Sequence, residues 1–291
     1  MAIVVTFLGA LPFMTLSGLI SPALMYALSG AGILVAVLGF ADDHGHIAAR
    51  WRLLGHFAAA AWALFWLGGM APVAFFGAAI DLGMAGTVLA LIYLVWMLNL
   101  YNFMDGIDGI ASVEAICACV GVCLVYGLTG HLDFTWVALA LAAAVGGFLC
   151  WNFPPARIFM GDAGSGFLGF VLGVLSLHAA WSAPELLWSW VILLGVFIVD
   201  ATWTLCRRLI NGDKVYQAHR SHAYQYASRQ HQSHKAVVFA VIGINVVWLL
   251  PLSIAVGMGL VPELVGVAIA YCPLVVLACL YHAGKREEVS Q

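Results

Sequence analysis

Three short stretches concentrate carboxylates in a chain that is otherwise strongly apolar: LGFADDHGH at 38–46, NLYNFMDGIDGIA at 99–111 and NFPPARIFMGDAGSG at 152–166. Asp42 and Asp43 are adjacent, Asp105 and Asp108 lie three apart beside Gly106 and Gly109, and Asp162 follows a short arginine-bearing stretch. A sixth aspartate, Asp200, stands by itself in FIVDATW. On a helix, positions three apart are about 60° apart around the axis, so Asp105 and Asp108 are expected to face one way. The two glycines leave room for a ligand or another backbone to approach. Carboxylates this close repel one another, and a divalent cation removes that penalty. An all-oxygen set of hard ligands suits Mg²⁺, or Mn²⁺, and Mg²⁺ typically bridges to substrate phosphates.

The opposite charge comes from QAHRSHAYQYASRQHQSH, residues 217–234, where His219, Arg220 and His222 fall within four positions. Arginine and histidine near acids and a cation are suited to hold phosphate oxygens and to stabilise leaving-group charge. His231 and His234 read as part of a solvated basic loop. GDAGSGFLG at 161–169 lacks the lysine and the preceding strand of a P-loop, so a nucleotide-triphosphatase reading is rejected. Its small residues suit either a helix start beside an anion or close helix packing. Glu114 lies opposite Asp105 if the helix runs through both, and it takes no role.

These residues must be positioned by membrane helices. The chain of 291 residues is 64% hydrophobic and 9% charged, with a mean hydropathy of +1.02. A spanning helix needs about 20 apolar residues. Ten candidate spans are expected, near 2–19, 23–40, 54–70, 84–101, 112–129, 134–151, 166–181, 185–205, 236–257 and 263–282. Helices are favoured over a barrel because short alternating strands are lacking. All 11 Lys and Arg then fall on one side, which the positive-inside rule makes cytoplasmic, with both ends of this chain inside. The informative aspartates lie at or near that face, only Asp200 deeper. The N-terminus lacks the basic flank and cleavage site of a signal peptide. The 7 cysteines have neither zinc-site nor disulfide-framework spacing and read as packing residues.

LGFADD, NLYNFMDGIDG, NFPPARIFMGDAGSGFLG and HRSHAYQ, in this order, resemble the polyprenyl-phosphate N-acetylhexosamine-1-phosphate transferases, with HRSHAYQ most similar to the branch that starts O-antigen or related glycans. The resemblance spans roughly 30–235. It implies an all-α, multi-pass enzyme of the bacterial inner (cytoplasmic) membrane with a Mg²⁺-dependent cytoplasmic site. The substrates it implies are a UDP-N-acetylhexosamine and undecaprenyl phosphate, with UMP released. By resemblance, Asp42, Asp43, Asp105 and Asp108 are catalytic, and Asp162 with Asp105 holds the metal. His219, Arg220, His222, Asn102 and Asn152 contact substrate. A homodimer is also implied, and no nucleic-acid partner is expected.

Relative to that family, the chain reads as one transferase domain over 1–291 that lacks the family's first helix and the cytoplasmic loop after it. In-frame sequence upstream of Met1 is expected to encode both, and a stop codon immediately upstream would remove that explanation. Two rival readings follow from the same residues. One is an ion-coupled secondary transporter, since membrane acids mark ion pathways. The other is an inactive, shortened member of the family.

Overall fold

The computed structural model describes residues 1–45, 47–213 and 220–285. It is built almost wholly of helices: α1 (Ala2–Leu16), α2 (Pro22–Gly45), α3 (Ala49–Leu67), α4 (Gly83–Met104), α5 (Ile110–Thr129), α6 (Thr135–Asn152) and α7 (Gly161–Ala180) come first. They are followed by α8 (Glu185–Leu193), α9 (Gly195–Ile210), α10 (Ala223–His231), α11 (His234–Gly243), α12 (Leu250–Gly257) and α13 (Glu263–Leu280). A π-helical turn, Ile244–Leu249, joins α11 to α12 without a break in the helix. The all-α membrane class expected from hydropathy is therefore what the chain adopts.

The span count needs correction. Among the described residues, 7 helices are long and apolar enough to cross a membrane, or up to 8 with the α8–α9 pair, rather than ten. Two expected spans are helical but fall short. The helix α1 has 15 residues, and α3 carries Arg50, Arg52 and His56 in its first two turns. The expected single span at 185–205 is bent by 73° between α8 and α9. Periodicity could not show the bend, because both halves are apolar and no proline or glycine pair interrupts them. The connection after α3 also gains a hairpin, β1 (Val73–Phe75) antiparallel to β2 (Ala78–Ile80). Phe76 and Gly77 turn it with φ of 49° and 80°, both positive as a tight two-residue hairpin loop requires. The Gly77 amide donates to buried Glu263 at 3.3 Å, tying the hairpin to α13.

Helix α7 is the axis of the bundle and is buried along nearly its whole length. Lipid tails give no hydrophobic drive between helices, so small residues that let backbones touch decide where they pack. A Cβ on Gly169 would fall 2.3 Å from the Met97 carbonyl of α4, and one on Gly39 of α2 would fall 2.5 Å from Ala163 Cα. Close packing therefore explains the glycines inside α7. Those contacts draw the ends of α2 and α4 and the start of α7 together, and with them the three acidic stretches.

Candidate active site

Asp105, Asp108 and Asp162 line one recess of about 330 Å³, together with Asn102, Asn152, Ser165 and His234. A narrow cleft adjoins it, lined by Asp42, Arg52, His56, Asn99, Asn102 and Asp162. Asn102 and Asp162 are common to both. Segments far apart in sequence thus meet around one cavity.

Each carboxylate reaches it by a different local device. Asp42 ends α2, where one oxygen accepts the Ile47 amide at 2.9 Å and the other is ion-paired with Arg52 of α3. Asp43, beside it and exposed, accepts the Asp162 amide at 3.2 Å. Its negative charge therefore sits at the N-terminus of α7, where unsatisfied amides and the helix dipole favour an anion. Asp162 occupies the first turn of α7, its side chain 45% exposed, and Arg52 Nη1 lies 3.9 Å from its Oδ2. Arg52 thus stands between two of the acids. Reading the sequence for acidic motifs missed it. Its signal was the arginine pair, Arg50 and Arg52, at the start of the helix that follows Asp42.

The expectation that Asp105 and Asp108 share a helix face is overturned. Helix α4 stops at Met104 and α5 starts at Ile110, so both aspartates lie in a non-helical turn. Two glycines mark the break. Gly109 takes φ of 77° at the start of α5. At Gly106, the Tyr224 hydroxyl of α10 comes so close that a Cβ would lie 2.1 Å from it. Glu114 consequently has no helical phase with Asp105; it is buried in α5 and accepts from Asn245 Nδ2 at 2.7 Å.

Within the turn the two acids differ. Asp108 Oδ2 accepts the Ala156 amide at 3.1 Å and lies 3.3 Å from His234 Nδ1. His234, expected to be a solvated loop residue, is thus a wall of the recess. Asp105 has no such partner among the described residues. Burial, and then the facing Asp162 carboxylate, push its carboxyl up to about 7. Asn152 braces the turn: its Oδ1 accepts from Gly109 N at 3.1 Å and its Nδ2 donates to Ile158 O at 2.9 Å. Asn102 Nδ2 donates to Ser165 Oγ at 3.1 Å.

The expected basic loop takes a different place. His219 lies outside the described residues. Arg220 is exposed and lines neither cavity. His222 is 2% exposed and stacks on Tyr224 instead of facing the recess. Asp200 explains this. Its buried carboxylate accepts from Thr204 Oγ1 at 3.1 Å, Ala223 N at 2.9 Å and Tyr224 N at 3.0 Å, and lies 3.3 Å from His222 Nδ1. The lone aspartate is the anchor at which α10 starts. Tyr224 then donates to Phe103 O at 3.1 Å, carrying α10 across to the Asp105 turn. Asp200→Ala leaves the Ala223 and Tyr224 amides without an acceptor, an effect of about 1–3 kcal/mol. Hydrogen exchange should accelerate at those two amides but not in α13. Unchanged exchange would show that α10 is held by other contacts.

Among the described residues no three His, Cys, Asp or Glu side chains form a ready cage. Asp105 and Asp162 instead share an open recess, Asp162 approached by Arg52 from one side and Asp105 without an ion-pair partner among the described residues. That fits Mg²⁺, which keeps several waters and needs one or two carboxylates plus substrate phosphates.

Residues 25–180 match the family model described as glycosyl transferase family 4. Over 241 residues the chain is 27% identical to a probable undecaprenyl-phosphate N-acetylglucosaminyl 1-phosphate transferase of Bacillus subtilis (strain 168), covering 81% of this chain and 67% of that protein. It is 28% identical over 161 residues to a phospho-N-acetylmuramoyl-pentapeptide-transferase of Streptococcus pneumoniae (strain Hungary19A-6), covering 53% of this chain and 47% of the relative. A protein of the same name in Desulforudis audaxviator (strain MP104C) is 49% identical over 72 residues, covering 24% of this chain and 20% of its own length. The chain thus spans about two thirds of the first relative's length and half or less of the other two.

Proposed function

The chain belongs to glycosyl transferase family 4, the polyprenyl-phosphate N-acetylhexosamine-1-phosphate transferases, and from that premise we propose that it moves an N-acetylhexosamine 1-phosphate from a UDP-sugar to undecaprenyl phosphate. UMP leaves, and the product starts an O-antigen or related glycan at the cytoplasmic side of a bacterial inner membrane. The observation that carries this reading is the convergence of Asp105, Asp108 and Asp162 on one recess, with Asp42 and Arg52 in the adjoining cleft.

The reaction joins two anions. A lipid phosphate oxygen forms a bond to the sugar-bearing phosphorus, the bond to the UMP phosphate breaks, and UMP carries the electron pair away. Little covalent work falls to the protein, so alignment and charge shielding dominate. Asp105 and Asp162 would hold Mg²⁺, which when bound supplies neutralisation of the diphosphate. Arg52 brings positive charge to the cleft beside Asp42 and Asp162, whose carboxylates would otherwise repel an incoming phosphate. His234 lies at the rim beside Asp108 and is suited to donate to a phosphate oxygen when protonated. Asp43 holds the Asp162 amide in the first turn of α7, which anchors the backbone that carries Asp162 to the recess. His222 supports this site through α10 rather than by contact.

The transporter alternative has less support. Ion-coupled carriers put their acids near the midplane of broken helices, whereas these five sit at helix ends and in one turn. The full chain, purified with a UDP-N-acetylhexosamine, undecaprenyl phosphate and Mg²⁺, should release UMP only when lipid and cation are both present. Substrate-driven ion flux without UMP would replace this reading with transport, and release without the lipid would make the chain a hydrolase.

A further inference from the structure

A second recess, of about 500 Å³, lies where α9 ends beside the turn after α13, and no part of the proposed transfer uses it. Its lining is basic and aromatic: Arg207 and Trp203 from α9, His282 and Lys285 from the turn, with Ile210 at the rim. The turn is built to bring these groups together. His282 has φ of 56°, a left-handed conformation uncommon for any residue but glycine. Gly284 has φ of 76°, and a Cβ there would lie 2.9 Å from Arg207 Cβ, so the turn lies flat against α9. Arg207 Nη1 donates to the Ala283 carbonyl at 3.1 Å. The Gly284 amide donates to Ser221 O at 2.7 Å, and Tyr226 of α10 donates to Lys285 O at 3.2 Å. These bonds fix the turn at the same end of the bundle as the acidic recess.

Ion pairing to these basic groups is lacking among the described residues. Among the described residues, no carboxylate lies within 4.0 Å of Arg207 or Lys285. Beside the basic groups the surface is apolar, with Ile210 85% and Leu280 66% exposed. Exposed apolar side chains on a membrane helix face lipid tails, and basic groups at the helix end meet headgroups. An indole at such a boundary places its ring at headgroup level. Basic pockets between membrane helices recognise anionic headgroups by this combination.

We infer that this recess binds the phosphodiester headgroup of an anionic phospholipid, with Arg207 and Lys285 on the phosphate and the acyl chains along Ile210 and Leu280. The guanidinium keeps donors beyond the one spent on Ala283, in a fork that matches phosphate oxygens. Occupancy would pin the turn that tethers Ser221 and Tyr226, coupling bilayer charge to the seating of α10.

The test uses the full chain in detergent, with phosphatidylglycerol or phosphatidylcholine of matched acyl chains, and counts retained lipids by native mass spectrometry. Wild type should retain phosphatidylglycerol in preference to phosphatidylcholine. The double variant Arg207→Gln with Lys285→Gln should lose about tenfold in phosphatidylglycerol retention and fall to the phosphatidylcholine level. Arg207→Lys, which keeps the charge, should retain most of it. Lys285→Gln alone, at an exposed position, serves if the double variant does not fold, and it should show a partial loss. Equal retention of the two lipids by wild type would overturn the inference. So would undiminished phosphatidylglycerol on folded glutamine variants. Displacement of the lipid by inorganic phosphate alone would show a soluble-phosphate site instead.

Discussion

Asp162→Asn should cut lipid-dependent UMP release by about 100- to 1,000-fold, the usual cost of removing one charge-stabilising group from a reacting centre. The change is nearly isosteric, and the bond from the residue 162 amide to Asp43 runs through the backbone and survives. The side chain is 45% exposed, so the melting temperature should hardly move. Activity should fall while the fold stays. Asp105→Asn is the informative companion. Its carboxyl is up at about 7 because burial and the Asp162 charge disfavour ionisation. A neutral amide removes that repulsion, so the variant should melt higher and still be as inactive as Asp162→Asn. Stabilisation coupled to loss of activity marks a site whose charges are kept for function. Both variants are read by UMP release at saturating Mg²⁺ and by thermal melts. Full activity in Asp162→Asn would sink the metal assignment.

Arg52→Gln should lower the same turnover by about 10- to 100-fold, a barrier increase of roughly 1.4–2.7 kcal/mol. Arg52 pairs with Asp42 and approaches Asp162, so its loss leaves negative charge unshielded where an anionic substrate must enter. Arg52 is 35% exposed and solvent moderates the effect, which keeps it below that of Asp162→Asn. A lysine at 52 restores charge but not the fork that can serve two acids, so partial rescue is expected. If glutamine and wild type turn over equally, Arg52 only fastens α3 to the end of α2. A rise in KM with unchanged kcat would place it in binding rather than in the transition state.

Much of the fold could be read from the sequence, and the reason is local. In lipid each backbone amide must find its partner within its own helix, so a membrane helix is announced by its own run of apolar residues. The helices near 23–40, 84–101 and 166–181 are legible in that way. The acids were legible for a related reason: a carboxylate in such a run has to be accounted for. What failed were features set by contact between segments. The Asp105 turn is set by the left-handed Gly109 and by Tyr224 resting on Gly106, the second a contact from over a hundred residues away. The 73° bend between α8 and α9 falls at Gly195, a single glycine of a kind that also occurs inside unbroken helices of this chain.

The candidate site divides along the same line. By composition, spacing and resemblance, the sequence by itself determined the membrane class, the family and the five aspartates gathered here. It could not say which basic residue would face them. HRSHAYQ drew attention to Arg220 and His222, yet Asp200 draws His222 into the protein as the root of α10. Arg52 and His234 took the places beside the acids. That choice belonged to tertiary structure alone. A charge acts over a few ångströms in space: the close backbone contacts at Gly39 of α2 and Gly169 of α7 gather the acids, and the packing of α3 on α2 and of α11 on α5 brings Arg52 and His234 to them.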